Sequence, residues 1–203
     1  RAIKIDPEND QIYQDRSLFL QRIGENSKAL INISKAIELN NNADNLFYRA
    51  DIYIEVGENQ LAINDLENAL KITPTDIDVL SSLADIYVSQ GDTISAIKTY
   101  QEGASVDVFE NSFSYDKSSK SFCYLGLAEI YISQDGKDSA EFYLDQAIRF
   151  DSTLDFAYFS RGTYHKGNGD YVKALSDYSQ AIKLYSNSSL YLQERSKVYF
   201  KMG

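Results

Sequence analysis

Small residues recur along the chain at a spacing that predicts paired helices. A small residue is followed twelve positions later by an alanine, and seven positions after that by another small residue. Five copies share this spacing: Ser17, Ala29, Ala36; Ala50, Ala62, Ala69; Ala84, Ala96, Gly103; Ala128, Ala140, Ala147; and Gly162, Ala174, Ala181. The copies begin 33, 34, 44 and 34 residues apart. A period of this length is typical of solenoids built from helical hairpins.

Large side chains keep the same register in every copy. One set follows the first small residue by three positions: Leu20, Tyr53, Tyr87, Tyr131 and His165. Another follows the first alanine by four positions: Ile33, Leu66, Tyr100, Leu144 and Tyr178. Apolar residues at three- and four-residue intervals predict amphipathic helices, two in each repeat. Between the two helices lies a glycine, which tolerates the left-handed backbone of a helix end: Gly24, Gly57, Gly91 and Gly169.

These residues resemble the repeat pattern of the tetratricopeptide repeat (TPR) family. Residues 155–188 match that pattern best. The matching positions include Ala157-Tyr158, Arg161-Gly162, Gly169-Asp170-Tyr171, Ala174-Leu175, Asp177-Tyr178 and Ala181-Ile182. The family's tryptophan is absent, and its closing proline is replaced by Asn41, Val108, Ser152 and Ser186 in four repeats. The resemblance implies an all-α fold, a right-handed α-α superhelix (TPR solenoid) of antiparallel helix pairs.

The period divides the chain into a single TPR array over residues 1–203. Full repeats are predicted at 10–42, 43–76, 77–110, 121–154 and 155–188, with partial repeats at 1–9 and 189–203. We expect the array to continue past both ends, which would expose apolar surface there unless the last helix acts as a cap. Residues 111–120 interrupt the period, and we expect a polar loop or an extra turn of the preceding helix. The alternative is that Phe113 and Tyr115 contact a partner.

Net charge restricts the kind of partner. The formal charge of -10 disfavours nucleic acid and anionic membrane surfaces, and leaves basic or apolar peptides. No apolar run is long enough to span a membrane. Cys123 is the only cysteine, so no intramolecular disulfide forms, and the compartment stays undetermined.

The family resemblance also implies a ligand groove on the first helices, at the second, fifth, sixth, ninth and twelfth positions of each repeat. Candidate groove residues at these positions are Asp44, Phe47, Tyr48, Asp51, Asp78, Asp85, Phe122, Glu129, Phe156 and Phe159. Leu125 and Gly126 occupy two further groove positions. The groove is predicted to be acidic toward its N-terminal half and aromatic toward its C-terminal half. Alternatively, the carboxylates are ordinary solvated side chains and the phenylalanines pack under neighbouring repeats.

The sequence does not match one known sub-class of the family. Its members grip a peptide's C-terminal carboxylate with lysine, arginine and asparagine, whereas the matching positions here hold Gln14, Leu18, Tyr48, Asp78 and Ser82.

No catalytic constellation stands out. His165 is the only histidine and occupies a position that other repeats fill with tyrosine or leucine, so it is interpreted as a packed side chain. No cofactor or metal is expected. The sequence therefore predicts a non-catalytic module that binds a peptide or protein in its concave groove. The alternative is a structural spacer or self-assembly segment of a larger protein, with end-to-end association of copies.

Overall fold

The computed structural model describes residues 6–107 and 114–203, with side chains from residue 117 onward in the second range. These residues form eleven α-helices and no strand, so the predicted all-α fold is confirmed. The helices are α1 (Asp10–Arg22), α2 (Asn26–Leu39), α3 (Ala43–Glu55), α4 (Asn59–Ile72), α5 (Ile77–Ser89), α6 (Thr93–Ser105), α7 (Ser114–Ser133), α8 (Lys137–Phe150), α9 (Asp155–Gly167), α10 (Tyr171–Leu184) and α11 (Ser189–Met202).

The chain forms two compact units, Arg1–Gly91 and Asp92–Gly203. Unit 1 contains α1 to α5 and unit 2 contains α6 to α11. Within each unit, every helix packs against the next one along the chain. The pairs α1–α2, α3–α4, α7–α8 and α9–α10 are four of the five helix pairs that the repeat spacing predicts.

The repeated small residues lie where the helices cross. All fifteen are buried, and thirteen of them have no exposed surface. A small side chain lets two helix backbones approach closely, so the larger side chains beside it can interdigitate. Gly162 shows how tight the crossing is, because a Cβ there would lie 3.0 Å from the ring of Tyr178. The spacing found in the sequence is therefore the spacing of the helix contacts.

The turn between the paired helices has one conformation in most repeats. Gly24, Gly57, Gly91 and Gly169 all have positive φ, between 76° and 82°. In the fourth repeat the same conformation falls on Asp135, with φ 56°, and Gly136 follows it. Aspartate tolerates the left-handed region better than most residues do, but less well than glycine. The repeated glycines therefore do not predict the turn at Asp135.

The N-terminal part of α7 corrects the expectation for residues 111–120. The described part of this segment, from Ser114, is helical and extends the following helix, so it is neither a loop nor a turn of the preceding helix. Lys120 is buried there, donates from Nζ to the carbonyl oxygen of Val106 at 2.6 Å, and lies 4.5 Å from the centre of the Phe150 ring. Burial lowers the pKa of Lys120. Phe113 and the side chain of Tyr115 lie outside the described residues.

Gly126 offers a test of the close packing in unit 2. A Cβ at Gly126 would lie 2.3 Å from Cζ of Tyr100, which is itself buried. We expect Gly126→Ala to lower the free energy of unfolding by about 1–3 kcal/mol, because the ring must move within a packed core. Urea unfolding followed by circular dichroism measures this change.

Gly167→Ala is the matched control. Gly167 is also in a helix, but a Cβ added there would have nothing within 4 Å of it. Alanine is the better helix former, so this variant should be unchanged or more stable by up to about 1 kcal/mol. Equal stabilities for the two variants would contradict the close approach at Gly126.

Candidate functional site

The acidic candidate residues of unit 1 lie on α3 and α5. Asp44, Asp51 and Asp85 are exposed, and Asp78 is half-buried. Gln21 on α1 reaches across to α3 and donates from Nε2 to Asp51 Oδ2 at 2.6 Å and to Glu55 Oε1 at 2.9 Å. Because this partner is a neutral amide, it orders the two carboxylates without cancelling their charge.

A further carboxylate adds to the negative charge at the start of α5. Asp76 caps this helix by accepting from the backbone N–H groups of Asp78 and Val79, at 3.1 and 3.2 Å. Burial raises the pKa of Asp76, and the nearby charges of Asp78 and Asp44 raise it further. The carboxylates of Asp44, Asp76 and Asp78 therefore lie close enough to repel one another. Together they produce a negative electrostatic field, which attracts cationic side chains.

The aromatic candidates of unit 1 support the core. Phe47 and Tyr48 are half-buried, and their rings meet edge-on with centroids 5.9 Å apart. Phe47 packs on a core cluster that includes Leu46 and Ala62, and Tyr48 packs on another that includes Ile33. Their positions match the alternative interpretation, in which the aromatic rings pack between repeats.

Unit 2 contains a cleft of about 360 Å³ between the end of α7, the turn after it, and α9. Three candidate residues line it: Glu129, Phe156 and Phe159. The other lining residues are Ile132, Asp135, Gly136, Lys137, Ser160, Thr163, Tyr164, Gly167 and Asn168. Ile132, Ser160 and Thr163 also stand at positions where the family resemblance implies groove residues. We refer to this depression as the α7–α9 cleft.

The α7–α9 cleft has a fixed aromatic floor. The ring of Phe159 stacks on Tyr191 of α11 with centroids 4.7 Å apart, and lies 5.7 Å from the ring of Tyr178. The Tyr191 hydroxyl donates to Asp155 Oδ2 at 2.6 Å, which fixes that ring in turn. Phe156, by contrast, is 38% exposed. The cleft thus combines a supported floor with an apolar rim that is open to a ligand.

The rim of the cleft carries more negative than positive charge. Glu129 and Asp135 are exposed carboxylates, and Lys137 Nζ lies 4.0 Å from Asp135 Oδ1. An exposed pair at this distance contributes little and leaves both groups able to bind other partners. Nearby, Lys166 is paired with Glu194, so its charge is compensated within the unit.

Other candidates lie outside the cleft. Phe122 is 44% exposed on α7 but does not line it. Leu125, expected in the groove, is instead buried in the core with Ala128 and Leu144. Gly126 is covered by the Tyr100 ring. Conversely, Tyr164 and Asn168 line the cleft although the repeat positions do not select them, because the cleft extends to the helix ends beyond α9's central turns.

The only histidine and the only cysteine of the sequence, His165 and Cys123, are both buried in the core. His165 is 4% exposed, and its Nε2 lies 3.7 Å from Asp177 Oδ2. Asp177 is already held by Arg161, whose Nε and Nη2 donate to it at 3.0 and 2.7 Å. Cys123 is fully buried. Within residues 6–107 and 114–203, no three histidine, cysteine, aspartate or glutamate side chains are grouped to hold a metal. No helix in these ranges has the length and apolar character needed to cross a membrane.

Comparisons with known proteins agree with this architecture. The family model described as "TPR repeat" matches residues 50–91, and the one described as "Tetratricopeptide repeat" matches residues 77–107. A search of curated proteins finds no relative that matches the sequence.

Solved structures share the fold at low sequence identity. PilF of Pseudomonas aeruginosa superposes with a TM-score of 0.73 at 15% identity, covering 93% of this chain and 86% of that one. TTC0263, a thermophilic TPR protein of Thermus thermophilus, gives 0.67 at 16% identity, with 95% and 100% covered. YrrB, described as a TPR protein with an unusual peptide-binding site, gives 0.55 at 19% identity, with 96% of each chain covered.

The fold defines a helical-repeat protein, made of consecutive helix pairs with small residues at each crossing. The family models identify tetratricopeptide repeats over residues 50–107, and the similar structures share the fold of the chain. Proteins of this family serve in general as protein–protein interaction modules and are generally non-catalytic.

His165 makes the stability of unit 2 sensitive to acid. Burial lowers its pKa below the ordinary 6.5, and Lys173 and Arg161 lower it further, whereas Asp177 and Glu141 oppose the shift. As pH falls through 6.5, the unfolded chain takes up the proton before the folded chain does, so the folded state loses stability. This loss cannot exceed about 1.4 kcal/mol per pH unit for one group.

The variant His165→Leu should show less loss of stability than the wild type between about pH 7.5 and 5.5. Leucine occupies the equivalent position in the first repeat, as Leu20. Urea unfolding of both proteins at both pH values measures the difference, and the carboxylates common to both cancel. The same pH dependence in the two proteins would contradict the assignment.

Proposed function

We propose that this chain is a non-catalytic interaction module that binds a peptide segment of a partner protein in the α7–α9 cleft. The observation that carries the proposal is the cleft itself, with apolar walls from Ile132 and Phe156 and a fixed floor at Phe159. Its size, about 360 Å³, falls within the range of ligand pockets and suits a large apolar side chain with part of its backbone.

Polar groups around the cleft suit a peptide backbone and a basic neighbour. The hydroxyl of Ser160 and the amide of Asn168 line the walls, where they can orient a bound segment. Glu129 and Asp135 bring negative charge to the rim. The preferred ligand therefore has an aromatic or large aliphatic anchor close to a lysine or arginine.

The acidic candidates of unit 1 are part of the same proposal. Asp44, Asp51, Asp78 and Asp85 attract basic segments, and Gln21 orders Asp51 without neutralising it. A charged surface of this kind raises association rates more than it raises affinity. YrrB is described as having a peptide-binding site, and this chain shares its fold, which supports peptide binding here as a working hypothesis.

A structural or self-assembling segment is the second candidate. The observation in its favour is the apolar surface of α11, on which Phe200 is 90% exposed. If this face joins copies end to end, the sedimentation coefficient should rise with protein concentration. A concentration-independent monomer favours the interaction module.

The cleft can be tested with an array of short peptides that pairs apolar anchors with neutral, acidic or basic neighbours. We expect the wild type to retain peptides with an apolar anchor and a basic neighbour. Phe156→Ala should weaken this binding about five- to twentyfold, since the rim of the cleft loses an exposed ring. Phe142→Ala is the control, because Phe142 is an exposed phenylalanine of unit 2 that does not line the cleft. Equal weakening by both variants, or no peptide retained by the wild type, would refute the proposal.

Charge reversal separates the rim from the unit 1 surface. Glu129→Lys should reduce the preference for a basic neighbour, whereas Asp51→Lys with Asp85→Lys should mainly slow association and flatten its salt dependence. Surface plasmon resonance at low and high salt measures both. Phe159→Ala would be a less specific test of the cleft than Phe156→Ala, since Phe159 also packs on Tyr178 and Tyr191. Association that is independent of salt in the wild type would contradict a role for the acidic residues.

A further inference from the structure

The turn between α7 and α8 differs from the equivalent turns of the other repeats in the order of two residues. In the other repeats a glycine with positive φ is followed by an acidic residue: Gly24-Glu25, Gly57-Glu58, Gly91-Asp92 and Gly169-Asp170. Between α7 and α8 the order is reversed, so that Asp135 has the positive φ, 56°, and Gly136 follows it. The reversal moves the carboxylate from the start of the second helix to the left-handed position.

The reversal brings no local benefit to the backbone. An aspartate at positive φ is less stable than a glycine there, because its Cβ crowds the neighbouring carbonyl oxygen. Gly136 precedes α8 and has no side chain to cap it, whereas Asp92 at the equivalent position accepts from the backbone N–H of Ser95 at 3.1 Å. A residue that departs from the local rule without a local gain is a candidate for a role in function.

Packing accounts for the glycine of this turn but not for the aspartate. A Cβ at Gly136 would lie 3.3 Å from the Tyr131 ring and 3.4 Å from the Tyr131 carbonyl oxygen, so a larger residue would have to displace Tyr131. Asp135 is exposed, and among the described residues its side chain forms an ion pair with Lys137 alone, at 4.0 Å. A glycine at position 135 would therefore satisfy the packing equally well.

The turn that carries Asp135 is fixed beside the α7–α9 cleft. Asp135 and Lys137 both line the cleft, and Tyr164 of α9 donates from its hydroxyl to the carbonyl oxygen of Lys137 at 3.0 Å. The equivalent positions of the three preceding repeats hold side chains that cannot form such a hydrogen bond: Ile52, Ile86 and Ile130. The hydrogen bond from Tyr164 therefore holds the Asp135 carboxylate at the rim of the cleft.

We infer, on the basis of the proposed function, that Asp135 is the residue that selects a basic ligand, by pairing with a lysine or arginine beside the apolar anchor. A short carboxylate on a fixed turn has little conformational freedom to lose when it binds a cation. The exposed contact with Lys137 is weak, so the Lys137 ammonium can turn to solvent when the ligand's cation arrives. Glu129 contributes to the same negative field from within α7.

Three labelled peptides measure this selection. They share one phenylalanine anchor and differ only in the residue beside it, which is lysine, glutamine or glutamate. Fluorescence anisotropy at low ionic strength should show that the wild type binds the lysine peptide most tightly and the glutamate peptide least tightly. Asp135→Asn removes the charge and keeps a side chain that tolerates positive φ. It should lower the preference for lysine over glutamine about two- to fivefold, the contribution of one exposed ion pair.

Two further variants separate selection from net charge and from folding. Asp138→Asn is the matched control and should keep the preference for lysine, because Asp138 is an exposed aspartate in the first turn of α8 that does not line the cleft. Asp135→Gly should lose the preference and yet be at least as stable to urea as the wild type, since glycine suits positive φ. Damage to the fold cannot produce lost selectivity together with undiminished stability.

The outcomes distinguish this inference from the proposed function. If Phe156→Ala weakens all three peptides but Asp135→Asn keeps the wild-type preference for lysine, the cleft binds peptides and Asp135 does not select them. A wild-type preference for the glutamate peptide would also overturn the inference, because selection would then belong to Lys137. If the wild type binds none of the three peptides at millimolar concentration, the proposed function fails and the role of Asp135 fails with it.

Discussion

The close crossing of helices at small side chains is the constraint on which the structure depends. Ser17, Ala50, Ala128 and Gly162 are buried on the first helices, where a larger side chain would separate the pair. Once these positions meet the alanines of the second helix, the register of each hairpin is set. The positions that remain on the first helix cannot be covered by the same partner. Exposed side chains such as Asp44 and Phe156 are therefore a consequence of packing geometry, and Phe156 is one of the residues that line the α7–α9 cleft.

Polar pairs add orientation to this packing. Alanine contacts alone allow a helix to rotate or slide, because they are small and non-directional. The two-point contacts of Arg49 with Asp65 and of Arg161 with Asp177 define a single orientation. Removing one partner of such a pair would leave a buried charge without compensation, which is more costly than the pair itself is stabilising. The repeats of this chain that lack the arginine carry leucine there, at Leu83 and Leu127, both buried.

The repeat pattern predicts the parts of the fold that depend on local spacing. The buried alanines, the helix pairs and the left-handed glycines all follow from residues close together in sequence. Lys120 could not be predicted in this way, because its burial depends on the carbonyl of Val106 and the ring of Phe150, which belong to two other segments of the chain. From their positions in the repeat alone, Leu125 and Gly126 are predicted to lie in the groove. Whether such a position faces a ligand depends on neighbours such as Tyr100, whose size varies from repeat to repeat.

Repetition also separates the positions that packing fixes from those that it leaves to vary. The repeated small residues of the first helices are buried, so a larger side chain there would disturb the packing of the hairpin. Other first-helix positions carry Ile132, Phe156 and Ser160 along the α7–α9 cleft and Asp44 and Asp51 on α3, and the repeat spacing does not require these side chains. The chemistry of the exposed surface is therefore set repeat by repeat, whereas the chemistry of the buried positions is common to the repeats.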